Sequence, residues 1–365
     1  MAARTVGVRR ERLLALRSQP CCERTTLCHT HVVSNDLHEA QGQTASTRPN
    51  RGLSPERAAQ LDGCLEELFA EAGCYGWLCV QSIDGVQEYG LRAQEPVVAA
   101  SVFKLPVALA AETAFVEGVL DPQTRVLLRG GEHTSGPVGI SLYSDDVEAS
   151  LRDLCVAMMT ISDNVATDAV LAAVGIAAVN ALTMRLGLSG TVVEADLRTL
   201  VDSIGQDAGF ADWDGMSSWF EQPHPPEETE RAMAAMRACT ALDAERTNRT
   251  TAREAATLLR LIWTDQAGPA AACARVRWMM ARQLTKNRLA SGFAPPVRVA
   301  AKSGGLIQAV RNEAGVVQFP DGRSFALAVF TRTGVDGRSG ADASVNAAIG
   351  AAAAVVVEAL IRDGD

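Results

Sequence analysis

The strand-forming segments of this chain lie at its two ends, and that separation limits what it can fold into. "YGWLCVQSIDG" and "VQEYGLRA", joined at Asp84-Gly85, read as a β-hairpin near residues 75–93. Three further strand-like runs, "VRVAAKSGG", "NEAGVVQF" and "SFALAVFTR", come only after residue 296. Between them, from about residue 102 to 283, apolar residues recur at helical spacing. Strands must satisfy their backbone groups on neighbouring strands, so the two ends have to pair with each other. The predicted fold is α+β: an antiparallel sheet formed from both chain ends and flanked by helices, with an inserted all-helical lobe over about 120–283. "SPERAAQLDGCLEELFAEAG", with Ser54 as N-cap, Pro55 in the first turn and Gly73 closing, predicts a helix ahead of the hairpin. An Ala-rich helix from about Ala343 to Arg362 closes the chain. A site would sit in the seam between sheet and lobe.

Residues 1–52 are polar, Arg-rich and weakly periodic, and are expected to be a disordered leader to a single domain over 53–365. The leader holds no apolar core of about 7 to 15 residues, so no secretory signal is read and the chain is expected in the cytoplasm, unless translation starts elsewhere. No run reaches the roughly 18 to 20 consecutive apolar residues of a membrane span. A formal net charge of -9 argues against a general nucleic-acid binder. A small-molecule or peptide-like partner, and a monomer, are expected. Nine cysteines form an odd set without framework spacing and read as reduced thiols. Cys21, Cys22, Cys28, His29 and His31 lack the paired spacing of a zinc module and read as part of the leader.

"ASVFKLPVALAAETAF" places Ser101 and Lys104 one turn apart at the start of an almost wholly apolar helix. Free amides and the positive end of the helix dipole favour an oxyanion there, and a desolvated lysine can take the proton that makes serine a nucleophile. Alone, such a pair is usually a capping serine beside a snorkelling lysine. Inside the helical middle, Ser162, Asp163 and Asn164 of "LCVAMMTISDNVATDAVLAAVG" interrupt one helix and start another, which by itself is a capping turn. In "VAAKSGG", Lys302 and Ser303 end a strand, and Gly304 with Gly305 permit close approach. The chain has only three lysines, Lys104, Lys286 and Lys302, its other basic residues being arginine. Two of the three stand in these segments, which points to a compact head and, at Lys104, reversible deprotonation.

In this order the segments resemble the S-x-x-K, S-D-N and K-T-G set of class A β-lactamases and penicillin-binding proteins, with Ser303 in place of Thr. From about residue 54 to its end the chain is similar to the serine β-lactamase and penicillin-recognising hydrolase family, most closely its class A branch. The resemblance implies that Ser101 is the acylated nucleophile and Lys104 its proton acceptor. Ser162 would pass a proton to the leaving nitrogen, Asn164 would hold the substrate's side-chain amide, and Lys302 with Ser303 would bind its carboxylate. The backbone amides of Ser101 and Gly305 would form the oxyanion hole. No metal or organic cofactor is implied.

One departure stands out. The E-x-x-L-N segment that carries the deacylating glutamate of class A enzymes is not matched in full. Glu194 is nearest the expected separation as a deacylation base, with Asp196 a competitor, and either also reads as a solvated loop carboxylate. An acidic insertion at about 205–235 follows, whose Trp213, Trp219 and Phe220 would either roof the cleft or pack the insertion onto the body. The expected activity is hydrolysis of β-lactams or related amides or esters through an acyl-serine. The alternatives are a DD-peptidase or esterase of the same fold, or a slowly deacylating penicillin-binding sensor. The absent glutamate leans toward slow turnover.

Overall fold

Ser54 starts helix α1 (Pro55–Glu71), its Oγ accepting from Arg57 N at 3.2 Å with Pro55 in the first turn. The computed structural model describes residues 51–364 except 132–133 and 335–339. The cysteine and histidine cluster and nearly all of the expected leader thus lie outside the described residues. Arg51, counted in that leader, already belongs to the domain, since its backbone exchanges two 2.9 Å hydrogen bonds with Glu88.

β1 (Tyr75–Ser82) turns into β2 (Glu88–Leu91) through Asp84-Gly85. Asp84 Oδ1 accepts from Ser82 Oγ at 2.5 Å and Val86 N at 3.0 Å, while Gly85 takes φ +76. The other edge of β1 pairs with β9 (Ser324–Arg332), from Tyr75↔Arg332 to Ser82↔Phe325. β8 (Val310–Gln318) and β7 (Arg298–Leu306) follow, giving one antiparallel five-stranded sheet in the order β2-β1-β9-β8-β7. The two chain ends do pair directly, as the distribution of strands requires.

The period of two along each strand divides the core. Leu78, Val80, Leu327 and Val329 pack against Leu65 and Phe69 of α1 and against Ile349 and Val356 of α11 (Asp342–Gly364). By length and composition α11 would also suit a membrane, but 67% of its apolar window is buried within the protein. Cys79, Ala326, Ala328 and Phe330 face the opposite core, which includes α9 (Ala252–Trp263) and the helical lobe. At the lobe's centre is α2 (Lys104–Val116), buried on nearly every side, as an all-round apolar sequence requires. α3 (Leu151–Thr160), α4 (Asn164–Val174), α5 (Ile176–Arg185) and α10 (Ala270–Met280) complete the lobe.

The middle of the chain is not helical throughout. β3 (Pro96–Val98) pairs with β6 (Arg249–Thr251), and β4 (Arg125–Leu128) with β5 (Val147–Ser150). Ribbons of three or four residues are too short to show a period. Helix α6 (Leu197–Asp207) leads into the insertion, which folds as α7 (Trp213–Phe220) and α8 (Pro226–Arg237). Leu200, Val201, Ile204 and Met216 join Val98, Ala100 and Val310 in a third core, with Trp213 packed against it. Trp219 stacks on His224 at 3.6 Å and meets Phe210 and Phe220 at 5.5 and 5.0 Å. These aromatics therefore pack the insertion.

Candidate active site

Ser101 lies in a 3₁₀ turn, Ala100–Phe103, that feeds α2, one step ahead of the α-helical first turn the sequence suggested. Amides at the start of such a turn have no partner within it. Ala100 takes φ +43, a left-handed conformation that needs support from its surroundings. The support comes from Asn312, fully buried on β8. Its Nδ2 donates to Val98 O at 2.9 Å and Ala99 O at 3.3 Å, and its Oδ1 accepts from Thr331 N at 3.2 Å. β7 runs close beside the turn. A Cβ at Gly304 would lie 3.1 Å from Ser101 N and 3.2 Å from Ala99 O, so glycine there lets β7 run tightly against the turn. Ser101 is half-buried, and among the described residues its Oγ has no hydrogen-bond partner.

Lys104 is fully buried. Its Nζ donates to Ser162 O at 2.7 Å, Asn164 Oδ1 at 3.0 Å and Ser162 Oγ at 3.2 Å. Lys302, also fully buried, donates to the same Ser162 Oγ at 2.9 Å and to Ser303 O at 2.7 Å. One hydroxyl thus joins both lysines. Ser162 has φ +65, held between those contacts and the cap of α4. In that cap Asp163 Oδ1 accepts from Ala166 N at 2.9 Å, while Oδ2 accepts from Ile140 N at 2.5 Å. Asp163 therefore caps, as the sequence allows. Burial lowers the Lys104 pKa to about 7, against the opposing pull of Asp168 and Asp163. Burial, then the charge of Lys104, pushes Lys302 well below the usual lysine range. A neutral amine one turn from Ser101 is the form that can take up a proton.

Around this pair the structure adds residues that the sequence did not single out. Asn164 Nδ2 donates to Ser135 O at 2.9 Å. Ser303 N donates to Gln283 Oε1, and its Oγ to Thr285 Oγ1 at 3.4 Å. Gln283 Nε2 donates to Glu313 Oε1 at 2.9 Å, and Glu313 Oε2 accepts from Leu289 N at 2.6 Å. Arg288 donates to Gly304 O at 2.6 Å and Asn312 O at 2.7 Å. Burial raises the Glu313 pKa, opposed first by the hydrogen bonds from Leu289 N and Gln283 and then by the charges of Arg288 and Lys302. Arg288 thus sets a guanidinium against the backbone of the Ser303–Gly305 edge.

The structure places Glu194 apart from these groups. Its carboxylate accepts from Arg249 at 2.5 Å with the side chain 43% exposed, and its N donates to Asn248 Oδ1 at 2.7 Å. Asp196 caps α6, accepting from Thr199 N at 2.8 Å. Among the described residues neither carboxylate bonds to Ser101 or Lys104. The carboxylate on that side of the site is Asp168, which accepts from Leu197 N at 2.8 Å, Arg198 N at 3.0 Å and Thr134 Oγ1 at 2.6 Å. Among the described residues no group of three His, Cys, Asp or Glu is placed to hold a metal ion.

Comparison with known proteins gives the family and the fold. A family model described as the beta-lactamase enzyme family matches residues 60–360. A Streptomyces cacaoi protein described as beta-lactamase regulatory protein BlaB is 28% identical over 293 residues, 76% of this chain and 92% of that protein. A solved beta-lactamase from Sphaerobacter thermophilus superposes with a TM-score of 0.64 at 20% identity, covering 85% of this chain and 99% of the other. The structure of PBP-A gives 0.63 at 21% identity, covering 83% and 96%. At such identities the solved structures speak for the fold alone.

Proposed function

The chain belongs to the β-lactamase enzyme family, and on that premise we propose that it is a penicillin-recognising protein in which a β-lactam or related amide acylates Ser101 and is released slowly. The observation that carries this reading is Lys104, fully buried one turn from Ser101 with an amine pKa of about 7. Ser101 Oγ attacks the lactam carbonyl carbon and passes its proton to neutral Lys104. The oxyanion rests on the amides of Ser101 and Gly305, where one donor is worth about 3 to 4 kcal/mol. The C–N bond then breaks as Ser162, bonded to both lysines, gives its proton to the leaving nitrogen and regains one from Lys104. Lys302 and Ser303 hold the substrate carboxylate, and Asn164 its side-chain amide.

Slow release is supported by the contacts of the Glu194 and Asp168 carboxylates. Glu194 pairs with Arg249 and Asp168 accepts from three donors, contacts that compete with holding a water for deacylation. The Streptomyces relative is described as regulatory, which favours a sensor over a resistance enzyme. Efficient hydrolysis is the second reading, favoured by family membership. Intact-mass spectrometry with a penicillin and a chromogenic cephalosporin separates the two. The expected result is a one-to-one adduct lasting minutes on the wild type and absent from Ser101→Ala. Rapid return of the free mass with many turnovers would favour the hydrolase. Equal labelling of both proteins would overturn the role of Ser101.

A further inference from the structure

We propose that Asp168 is a positioning residue that sets the proton affinity of Lys104 and ties that setting to the first turn of helix α6. Asp168 follows Asn164 by one turn on α4, so both side chains project from one face. Lys104 Nζ bonds to Asn164 Oδ1 at 3.0 Å on that face. The carboxylate cannot swing away, because Leu197 N and Arg198 N of α6 and Thr134 Oγ1 all donate to it, at 2.8, 3.0 and 2.6 Å. Burial raises the Asp168 pKa, and the same three donors act in the opposite direction, toward the ionised form.

The other charges around Lys104 do not replace it. Asp163, also on α4, is taken up by Ile140 N and Ala166 N and acts on the ammonium less than Asp168 does. Lys302 on β7 repels, and is itself flanked by Glu313 on β8 and by Arg288. From α6, Asp196 acts on Asp168 while capping Thr199 N. Farther along α2, Glu112 faces Arg275. The atoms that accept from Lys104 Nζ are all formally neutral oxygens. The negative field on the ammonium therefore comes first from Asp168, and a shift of α6 that removed two of its donors would change that field. In the acyl-serine reading, on which only this consequence rests, the position of α6 governs how much Lys104 is a base at a given pH.

The sign is fixed. Removing the Asp168 charge favours the neutral amine, so the Lys104 midpoint falls. The chain has three lysines, so the full-length protein labelled with ¹³C at lysine Cε gives three titrating signals. Lys286→Arg removes one and Lys302→Arg a second, which assigns the third to Lys104. Asp168→Asn is expected to lower the Lys104 midpoint by about one pH unit, a tenfold change in amine fraction. Thr134→Val, which removes a donor and keeps the charge, should leave the midpoint in place. Asp168→Ser, smaller and also uncharged, should reproduce the fall if the Asn variant folds poorly. An unchanged midpoint in the uncharged variants, or an equal shift in Thr134→Val, overturns the proposal. The titration needs no acylation, so failure to form a Ser101 adduct would count against the acyl-serine reading and leave this result standing.

Discussion

Glu194→Gln removes one partner of the Arg249 ion pair and, by geometry, little else. The two side chains are 43% and 21% exposed, so the pair is a surface interaction worth about 0 to 1 kcal/mol. Its loss should change stability by no more than that. If Glu194 activated the deacylating water, its amide would instead lengthen the acyl-enzyme lifetime about a hundredfold to ten-thousandfold, or about 3 to 5 kcal/mol in that step alone. The structure favours the first outcome, a lifetime within about twofold of wild type and an unchanged acylation burst. The assay labels wild type, Glu194→Gln and Asp196→Asn with a fluorescent penicillin, removes the excess, and follows the return of free protein by intact mass. A hundredfold longer lifetime in Glu194→Gln, with acylation intact, would refute the reasoning that Arg249 holds this carboxylate out of the chemistry.

Lys104→Arg should abolish acylation although the charge is kept, because a guanidinium does not give up its proton, whereas Lys302→Arg should retain a measurable rate with weaker capture of the carboxylate. Stopped-flow labelling would expose identical behaviour of the two variants, which would sink their separate roles. With the Lys104 pKa at about 7, the acylation rate should fall about tenfold per pH unit below that point and level off above it. A flat profile from pH 5 to 9 would contradict Lys104 as the base. Asn312→Ala leaves Val98 O, Ala99 O and Thr331 N without the amide that joins them. It should cost about 2 to 4 kcal/mol in urea unfolding and slow acylation more than it weakens binding. A neutral result would mean that the Ser101 turn holds itself.

The division of the chain into sheet-forming ends and a helical middle was legible in the sequence because it rests on short-range regularities. The short apolar runs of β1 and β7 to β9, the Ser54 cap and the Asp84-Gly85 turn each need only a few neighbouring residues. The same locality made Ser101 with Lys104, Ser162 to Asn164, and Lys302 with Ser303 readable, since each set sits within one turn of helix or one strand end. Scarcity of lysine added a sign that no alignment was needed to see.

The ribbons β3–β6 and β4–β5 were not legible, because strands of three or four residues are held by distant partners and not by their own pattern. Asn312 and Asp168 are ordinary polar residues in sequence. They matter because one reaches the carbonyls before Ser101 from 213 or more residues away, and the other meets α6 across about 30 residues. Glu194 marks the boundary most clearly. Its separation from the S-D-N segment nominates it, yet its side chain follows the Val192↔Arg249 bridge to a guanidinium 55 residues on. Residue type and spacing determine which chemistry a segment can offer. The direction a side chain finally takes is set by partners that only the folded chain brings within reach, because a hydrogen bond or ion pair depends on distance in space and not along the chain.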